Sequence, residues 1–315
     1  MTGVVYKSTG SWYHVKDAKG KLIPCRIKGK FRIEGLTSTS PVAVGDVVEV
    51  TLKDTQDGQE GVITDIQTRK NYIVRKSVNL SKQIHIIAAN IDRAFLLVTL
   101  NSPPTYPAFI DRFLATAEAY GIDAVLLFNK EDAYNKSDAE QMRSMKKLYE
   151  NIGYTCLDIS ALKRTNLEAV KTMMEGKTCM LSGHSGVGKS TLVNALAPEL
   201  NIKTADISAQ HQQGQHTTTF AEMHDLDFNA RIVDTPGIRG FGLVNMEAAE
   251  MGYYFREFIS VKDACKFNNC LHLEEPKCAV KAAVEAGEIA PSRYKSYVQM
   301  LAGDDQHYRT DFWDS

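Results

Sequence analysis

Three observations predict a multidomain chain: an N-terminal all-β OB-type barrel, a central α/β domain and a C-terminal mostly helical domain. Residues 1–70 carry short β-prone runs broken by Gly, Lys and Asp turns. From Ala88 onward, apolar strands alternate with amphipathic helices. Beyond Gly242 the pattern turns helical, and three of the six cysteines crowd between Cys265 and Cys278. A length of 315 residues suits two or three cores, so the expected divisions are 1–70, 71–245 and 246–315.

The barrel comes first. VVYK, WYHVKD, LIPCRIKG, DVVEVTL and GVITDIQ are five candidate strands within a length that suits an OB-type fold. Residues 1 to 32 hold eight Lys or Arg (Lys7, Lys16, Lys19, Lys21, Arg26, Lys28, Lys30, Arg32) against one acid, Asp17. Arg69, Lys70, Arg75, Lys76 and Lys82 extend the positive field. Tyr6, Trp12, Tyr13 and Phe31 interleave with these bases, which suits a surface for single-stranded or looped nucleic acid. The competing reading makes the aromatics core and the lysines a solvated face.

In the central segment the order is AFLLVTL, a helix over Ala108 to Tyr120, AVLLF, a helix near Ala139 to Asn151, YTCLDIS, a helix over Leu167 to Glu175, then TCMLSG. Such alternation gives a mainly parallel sheet with ligands at the carboxyl ends of its strands. GHSGVGKS stands directly after TCMLSG and before the helical STLVNAL, matching the phosphate loop G-x-x-x-x-G-K-S. Gly183, His184, Ser185, Gly186, Val187 and Gly188 supply backbone N–H groups, followed by Thr191 at the helix start. Lys189 reaches the β- and γ-phosphates and shares in stabilising the transition state, while the Ser190 hydroxyl holds magnesium.

Downstream, the strand ARIVDTPG delivers Asp234 to the magnesium shell and Gly237 to the γ-phosphate. QGQHTTTF lies between the two motifs, where Thr217, Thr218 or Thr219 could sense the γ-phosphate; Thr218 is carried as the nucleotide contact, though the sequence does not choose. Base identity needs its own residues. NKED follows AVLLF, so Asp132 can accept from the N1–H and amino group of guanine, Lys130 can pack its stem along the base, and Asn129 sits at the same strand end. Ser160 and Ala161 follow YTCLDIS, where a backbone N–H can meet the guanine oxygen. An ATP-specific phosphate-loop enzyme would leave NKED without a role.

The cluster Cys265, Cys270, His272 and Cys278 reads C-x4-C-x-H-x5-C, a donor set for one tetrahedral zinc with a closed shell and a structural role. Cys25, Cys156 and Cys179 lie in apolar strands and are expected in the core.

Base motif, backbone base contact, phosphate loop, switch threonines and D-x-x-G therefore occur in that order, whereas ordinary GTPases begin with the phosphate loop. In this order, and with the basic barrel and the Cys/His cluster, the chain resembles the circularly permuted GTPases called RsgA or YjeQ, which depend on the small ribosomal subunit. The resemblance covers NKED, GHSGVGKS, HTTT at His216 to Thr219, DTPG and the cluster. It implies a late-acting assembly factor that binds the small (30S) subunit and its 16S rRNA and hydrolyses GTP to GDP when docked.

Catalysis has a gap. The residue after D-x-x-G, often a water-orienting glutamine, is Ile238, so hydrolysis by the chain alone should be slow. His216 is the candidate for placing the water, consistent with the resemblance, against the reading that it is an exposed loop residue. Gln215 stands where the family commonly has arginine.

The composition, 43% hydrophobic and 24% charged, is that of an ordinary globular protein and excludes fibrous and disordered classes. No window approaches the roughly 18 apolar residues of a membrane span. The start lacks a signal peptide's apolar core, so a cytoplasmic monomer without a membrane partner is expected. The expected fold is an N-terminal OB-type barrel, a circularly permuted α/β P-loop GTPase domain and a helical zinc-binding domain. The rival from another class is a GTP-gated RNA-binding module in which hydrolysis is incidental.

Overall fold

A computed structural model describes residues 1–27, 41–55, 58–76, 84–200, 221–234 and 247–303. They fall into two compact units: one of Met1–Phe95, Glu168–Ser182 and Val193–Gly240, the other of Leu96–Leu167, Gly183–Leu192 and Phe241–Ser315.

The first unit begins with β1 (Thr2–Ser8), β2 (Tyr13–Asp17), β3 (Leu22–Ile27), β4 (Val47–Thr55) and β5 (Gly58–Ile66). They pair in the order β1-β2-β3-β5-β4, and β4 returns to β1, closing a five-stranded barrel. The β3–β5 pair is parallel and the others antiparallel, the OB-type arrangement. Alternation within the strands turns Val5, Tyr13, Val15, Ile23, Cys25, Val48, Val50 and Ile63 inward as one core.

Two expectations for this region need correction. Tyr13 is core and Tyr6 is buried with its hydroxyl donating to Asp225 Oδ1 at 2.6 Å, so neither is a free stacking surface. Trp12 is half-buried beneath the Arg26 guanidinium, 3.9 Å from the ring centre. Phe31 lies outside the described residues. The positive field is also smaller than the sequence suggests. Lys7 pairs with Glu222 at 2.7 Å, Lys16 pairs with Asp225, and Arg69 is buried against Asp46 at 2.6 Å.

A hairpin of β6 (Tyr72–Lys76) and β7 (Ile84–Ala89) follows, which the sequence did not reveal. The α/β part then runs β8 (Arg93–Val98), α1 (Pro107–Ala119), β9 (Asp123–Phe128), α2 (Lys136–Ile152), β10 (Thr155–Asp158), α3 (Leu167–Met174), β11 (Thr178–Ser182), α4 (Lys189–Leu196), β12 (Glu222–Leu226) and β13 (Ala230–Asp234). Within the first unit β11 and β13 are parallel, and β12 lies antiparallel to β13. Strand β12 also meets β1 at Lys7↔Glu222, which joins the barrel to this sheet.

In the second unit β9 and β10 are parallel. Helix α2 starts at Asn135, whose side chain accepts from the Asp138 N–H, and stops at Gly153 with φ 99°, a left-handed cap. The C-terminal part has α5 (Arg256–Ile259), α6 (Ala279–Glu285) and α7 (Pro291–Leu301). The long helix expected near Met246 to Ile259 is instead a 3-10 turn over Met251–Tyr254 and the single turn α5. Met251, Phe255 and Phe258 have helical spacing and share one core, but Gly252 weakens a helix and Phe255 is extended at φ −111°. Its ring packs edge-on against Tyr297 with centres 5.4 Å apart.

Beneath these elements Arg293, 0% exposed, donates to Asp111 Oδ1 on α1 at 2.8 Å and to both oxygens of Glu257 at 2.6 and 3.0 Å. Tyr149 of α2 adds its hydroxyl to the same Asp111 oxygen at 2.9 Å. Cys25 and Cys179 are buried as expected, whereas Cys156 is only half-buried. Burial pushes the Cys25 thiol up to about 11 and those of Cys156 and Cys179 to about 12, so all three are inert thiols at neutral pH. No helix among the described residues is long and apolar enough to cross a membrane.

Candidate nucleotide site and metal centre

The phosphate loop connects β11 to α4. Val187 is wholly buried and anchors the loop, while Ser185 and Gly186 are exposed at its rim. Gly188 has φ 103°, and a Cβ there would lie 2.4 Å from Asn129 Nδ2, so both backbone conformation and space require glycine. Lys189 Nζ donates to the carbonyls of Gly183 at 2.6 Å and His184 at 2.7 Å, which folds the lysine back over its own loop. Ser190 is buried in the first turn of α4, with Thr191 next to it. The His184 ring packs on Phe109 with centres 4.0 Å apart.

The base loop is tied to the phosphate loop by one side chain. Asn129, 1% exposed, donates through Nδ2 to Val187 O at 2.8 Å and accepts through Oδ1 from the Ala161 N–H at 3.0 Å. Thus NKED, the Ser160–Ala161 turn and the phosphate loop are brought together despite their separation in sequence. Lys130 adopts a left-handed φ of 69°, and burial holds its amine below the ordinary lysine value against the opposing pull of Asp132. Asp132 is exposed, and its carboxylate accepts from the buried Ser160 hydroxyl, which in turn accepts from the Lys163 N–H at 2.9 Å. An oriented carboxylate open to solvent can take the two adjacent N–H groups of a guanine edge.

Sequence reasoning gave Asn129 its place but not its bridging role, because the partners are backbone groups. It also passed over Tyr134, whose hydroxyl donates to Asn129 O at 2.8 Å and accepts from the Leu100 N–H at 3.0 Å. Asp234 ends β13, and its side chain is not among those described. Gln215, His216, Thr217, Thr218, Thr219, Gly237 and Ile238 lie outside the described residues.

The Cys/His cluster is assembled. The ligand atoms of Cys265, Cys270, His272 and Cys278 all lie within 4.8 Å of one another. His272 Nδ1 is 3.6 Å from Cys265 Sγ and 3.4 Å from Cys278 Sγ, and ligand atoms around a tetrahedral zinc are roughly 3.3–3.8 Å apart. His272 has φ 58° and its carbonyl accepts from Tyr294 Oη at 2.6 Å, which fixes the turn. The Ala279 N–H points at Cys265 Sγ at 3.3 Å and the Lys281 N–H at Cys278 Sγ at 3.4 Å, donors that favour thiolates. Three soft donors and a buried imidazole fit a metal ion with a closed shell.

Residues 66–244 match the RsgA GTPase family model and residues 2–63 that of the RsgA N-terminal domain. Over 313 residues the chain is 62% identical to the small ribosomal subunit biogenesis GTPase RsgA of Flavobacterium johnsoniae, covering 99% of this chain and 96% of that protein. It is 46% identical over 316 residues to the protein of the same description from Porphyromonas gingivalis, covering 99% of this chain and 100% of the relative. Among solved structures, YjeQ from Thermotoga maritima superposes with a TM-score of 0.77 at 34% identity, covering 96% of this chain and 97% of that one. YloQ, described as a circularly permuted GTPase, gives 0.73 at 31% identity, covering 96% and 94%.

Proposed function

The chain belongs to the RsgA GTPase family, and on that premise we propose that it hydrolyses GTP to GDP and phosphate as a late-stage assembly factor of the small (30S) ribosomal subunit. The relatives' description as small-subunit biogenesis GTPases supports this reading. The observation that carries it is Asn129, which bonds Val187 of the phosphate loop and Ala161 of the base-contact turn at once.

Each residue has a role in this reading. Asp132, oriented by Ser160, selects guanine; Lys130 covers the base, and Ala161 offers its N–H to the base oxygen. Backbone N–H groups of Gly183 to Thr191 cradle the phosphates, and on binding Lys189 exchanges its two carbonyl partners for phosphate oxygens. Ser190 and Asp234, with Thr218, would hold a magnesium ion, which would supply positive charge to offset that of the β- and γ-phosphates. His216 orients the water that attacks the γ-phosphorus as the bond to the β–γ bridging oxygen breaks. Gly237 offers its N–H to the γ-phosphate.

The 1–70 barrel and the 246–315 segment, stapled by one structural zinc on Cys265, Cys270, His272 and Cys278, would grip 16S rRNA in the cytoplasm, the chain acting as a monomer. Trp12 with Arg26 is the stacking surface that supports RNA contact on the barrel. A second reading, a GTP-gated RNA-binding module without functional hydrolysis, draws on Ile238 in place of a water-orienting glutamine.

Co-sedimentation with purified small subunits tests the proposal. Binding in the presence of a non-hydrolysable GTP analogue and loss of binding with GDP are expected. Equal binding in both nucleotides, or none, would remove the assembly role.

A further inference from the structure

The loop of residues 99–106, between β8 and α1, belongs to none of the motifs above, yet it touches both nucleotide-binding loops. It is closed on itself: the Thr105 N–H donates to Thr99 O at 2.7 Å, the Thr99 N–H to Thr105 Oγ1 at 3.1 Å, and Thr99 Oγ1 to Pro103 O at 2.6 Å. Three of its contacts reach the nucleotide-binding loops or a residue just beyond the base motif. Ser102 O accepts from Lys130 Nζ, the lysine of the base motif. Pro103 borders the phosphate loop, since a Cβ on Gly186 would stand 3.4 Å from its Cδ. The Leu100 N–H donates to the Tyr134 hydroxyl at 3.0 Å, and that hydroxyl donates to Asn129 O at 2.8 Å.

Tyr134 thus spends its proton on the first residue of NKED and accepts from the loop. Together with the Ser102 contact, this fixes the base motif at Asn129, at Lys130 and just beyond Asp132. We propose that Tyr134 is a positioning residue for guanine recognition, holding Asn129 to Asp132 against loop 99–106 so that both oxygens of Asp132 meet the base together. The inference rests on the nucleotide-site reading given above. A two-pronged carboxylate contact is sensitive to orientation, whereas a single hydrogen bond tolerates drift. Guanine presents N1–H and a 2-amino group, and hypoxanthine only N1–H. A loosened base motif therefore loses more with the first than with the second.

The experiment is equilibrium binding of GDP and inosine diphosphate to the full-length, zinc- and magnesium-loaded protein, with Tyr134→Phe, Asp132→Asn and thermal midpoints alongside. Removing the hydroxyl leaves two backbone groups without this partner, so GDP affinity should fall on the order of 10-fold. The GDP-to-inosine preference should shrink in the same variant, and Asp132→Asn should shift preference to xanthosine diphosphate. An unchanged preference in Tyr134→Phe, with or without a lower midpoint, would reduce Tyr134 to a structural residue and overturn the inference. If wild type binds no guanine nucleotide, or Asp132→Asn keeps its guanine preference, the site reading itself fails and the inference falls with it.

Discussion

Asn129 and Val187 are joined by a buried hydrogen bond of 2.8 Å that fastens the base motif to the phosphate loop. Because Asn129 is 1% exposed and also serves Ala161, its removal leaves one buried acceptor and one buried donor without this partner. Asn129→Ala should cost about 2–6 kcal/mol, at roughly 1–3 kcal/mol for each of the two orphaned groups. Isothermal titration should show GDP and GTP weakened alike, by about 30-fold or more. Retained affinity would mean that the two loops are held together by other contacts.

Arg293 is the buried charge on which the C-terminal helices close. Its fork is shared between Asp111 and Glu257, and its guanidinium lies over Phe255, 4.6 Å from the ring centre. Arg293→Ala strands two acids in the interior and should cost about 3–5 kcal/mol in urea unfolding. Arg293→Lys should recover little of this, because an ammonium cannot reproduce the planar fork.

Elemental analysis should find one zinc per chain, lost in Cys278→Ser and reduced in His272→Ala. Chelation should expose the segment around Cys265 to Cys278 to proteolysis, since the cluster brings together turns with little core of their own. GDP binding, built on residues far from the cluster in sequence, should persist.

The junction between barrel and sheet should be acid-sensitive. Burial pushes the Asp225 carboxyl up, but hydrogen bonds from Lys16 and Tyr6 outweigh it and hold the group below its ordinary value. A depressed folded value means that the stabilisation is present above the unfolded value of about 3.9 and is lost as pH falls through the folded one. The pair is substantially exposed, at 26% for Lys16 and 43% for Asp225, so Asp225→Asn should cost no more than about 1 kcal/mol at pH 7. That difference should shrink as pH falls below the unfolded value of about 3.9 and vanish only below the depressed folded one, as read from urea midpoints of both proteins.

Where side chains alternate or a motif carries its own context, the sequence was sufficient. The barrel strands follow from inward residues such as Val5, Val15, Ile23 and Val48, and the phosphate loop follows from its glycines between β11 and α4. Strand β12 was not legible, because Glu222 and Asp225 look like solvated charge until Lys7, Lys16 and Tyr6 are seen to meet them. The same pairings explain why the basic N-terminal run overstates the free positive surface. Met251, Phe255 and Phe258 imitate a helix because one core can be filled at helical spacing from an extended turn. Tyr134 escaped notice since both its partners are backbone groups, which leave no trace in residue types.

The most direct test of the central claim is steady-state GTP turnover by the purified chain, with and without small ribosomal subunits, and with Lys189→Ala as control. With Ile238 in place of a water-orienting glutamine, turnover by the chain alone should be slow. The account predicts a rise of at least about 10-fold when subunits are added, equivalent to about 1.4 kcal/mol off the barrier, and none for Lys189→Ala. Turnover that is unchanged by subunits would contradict it.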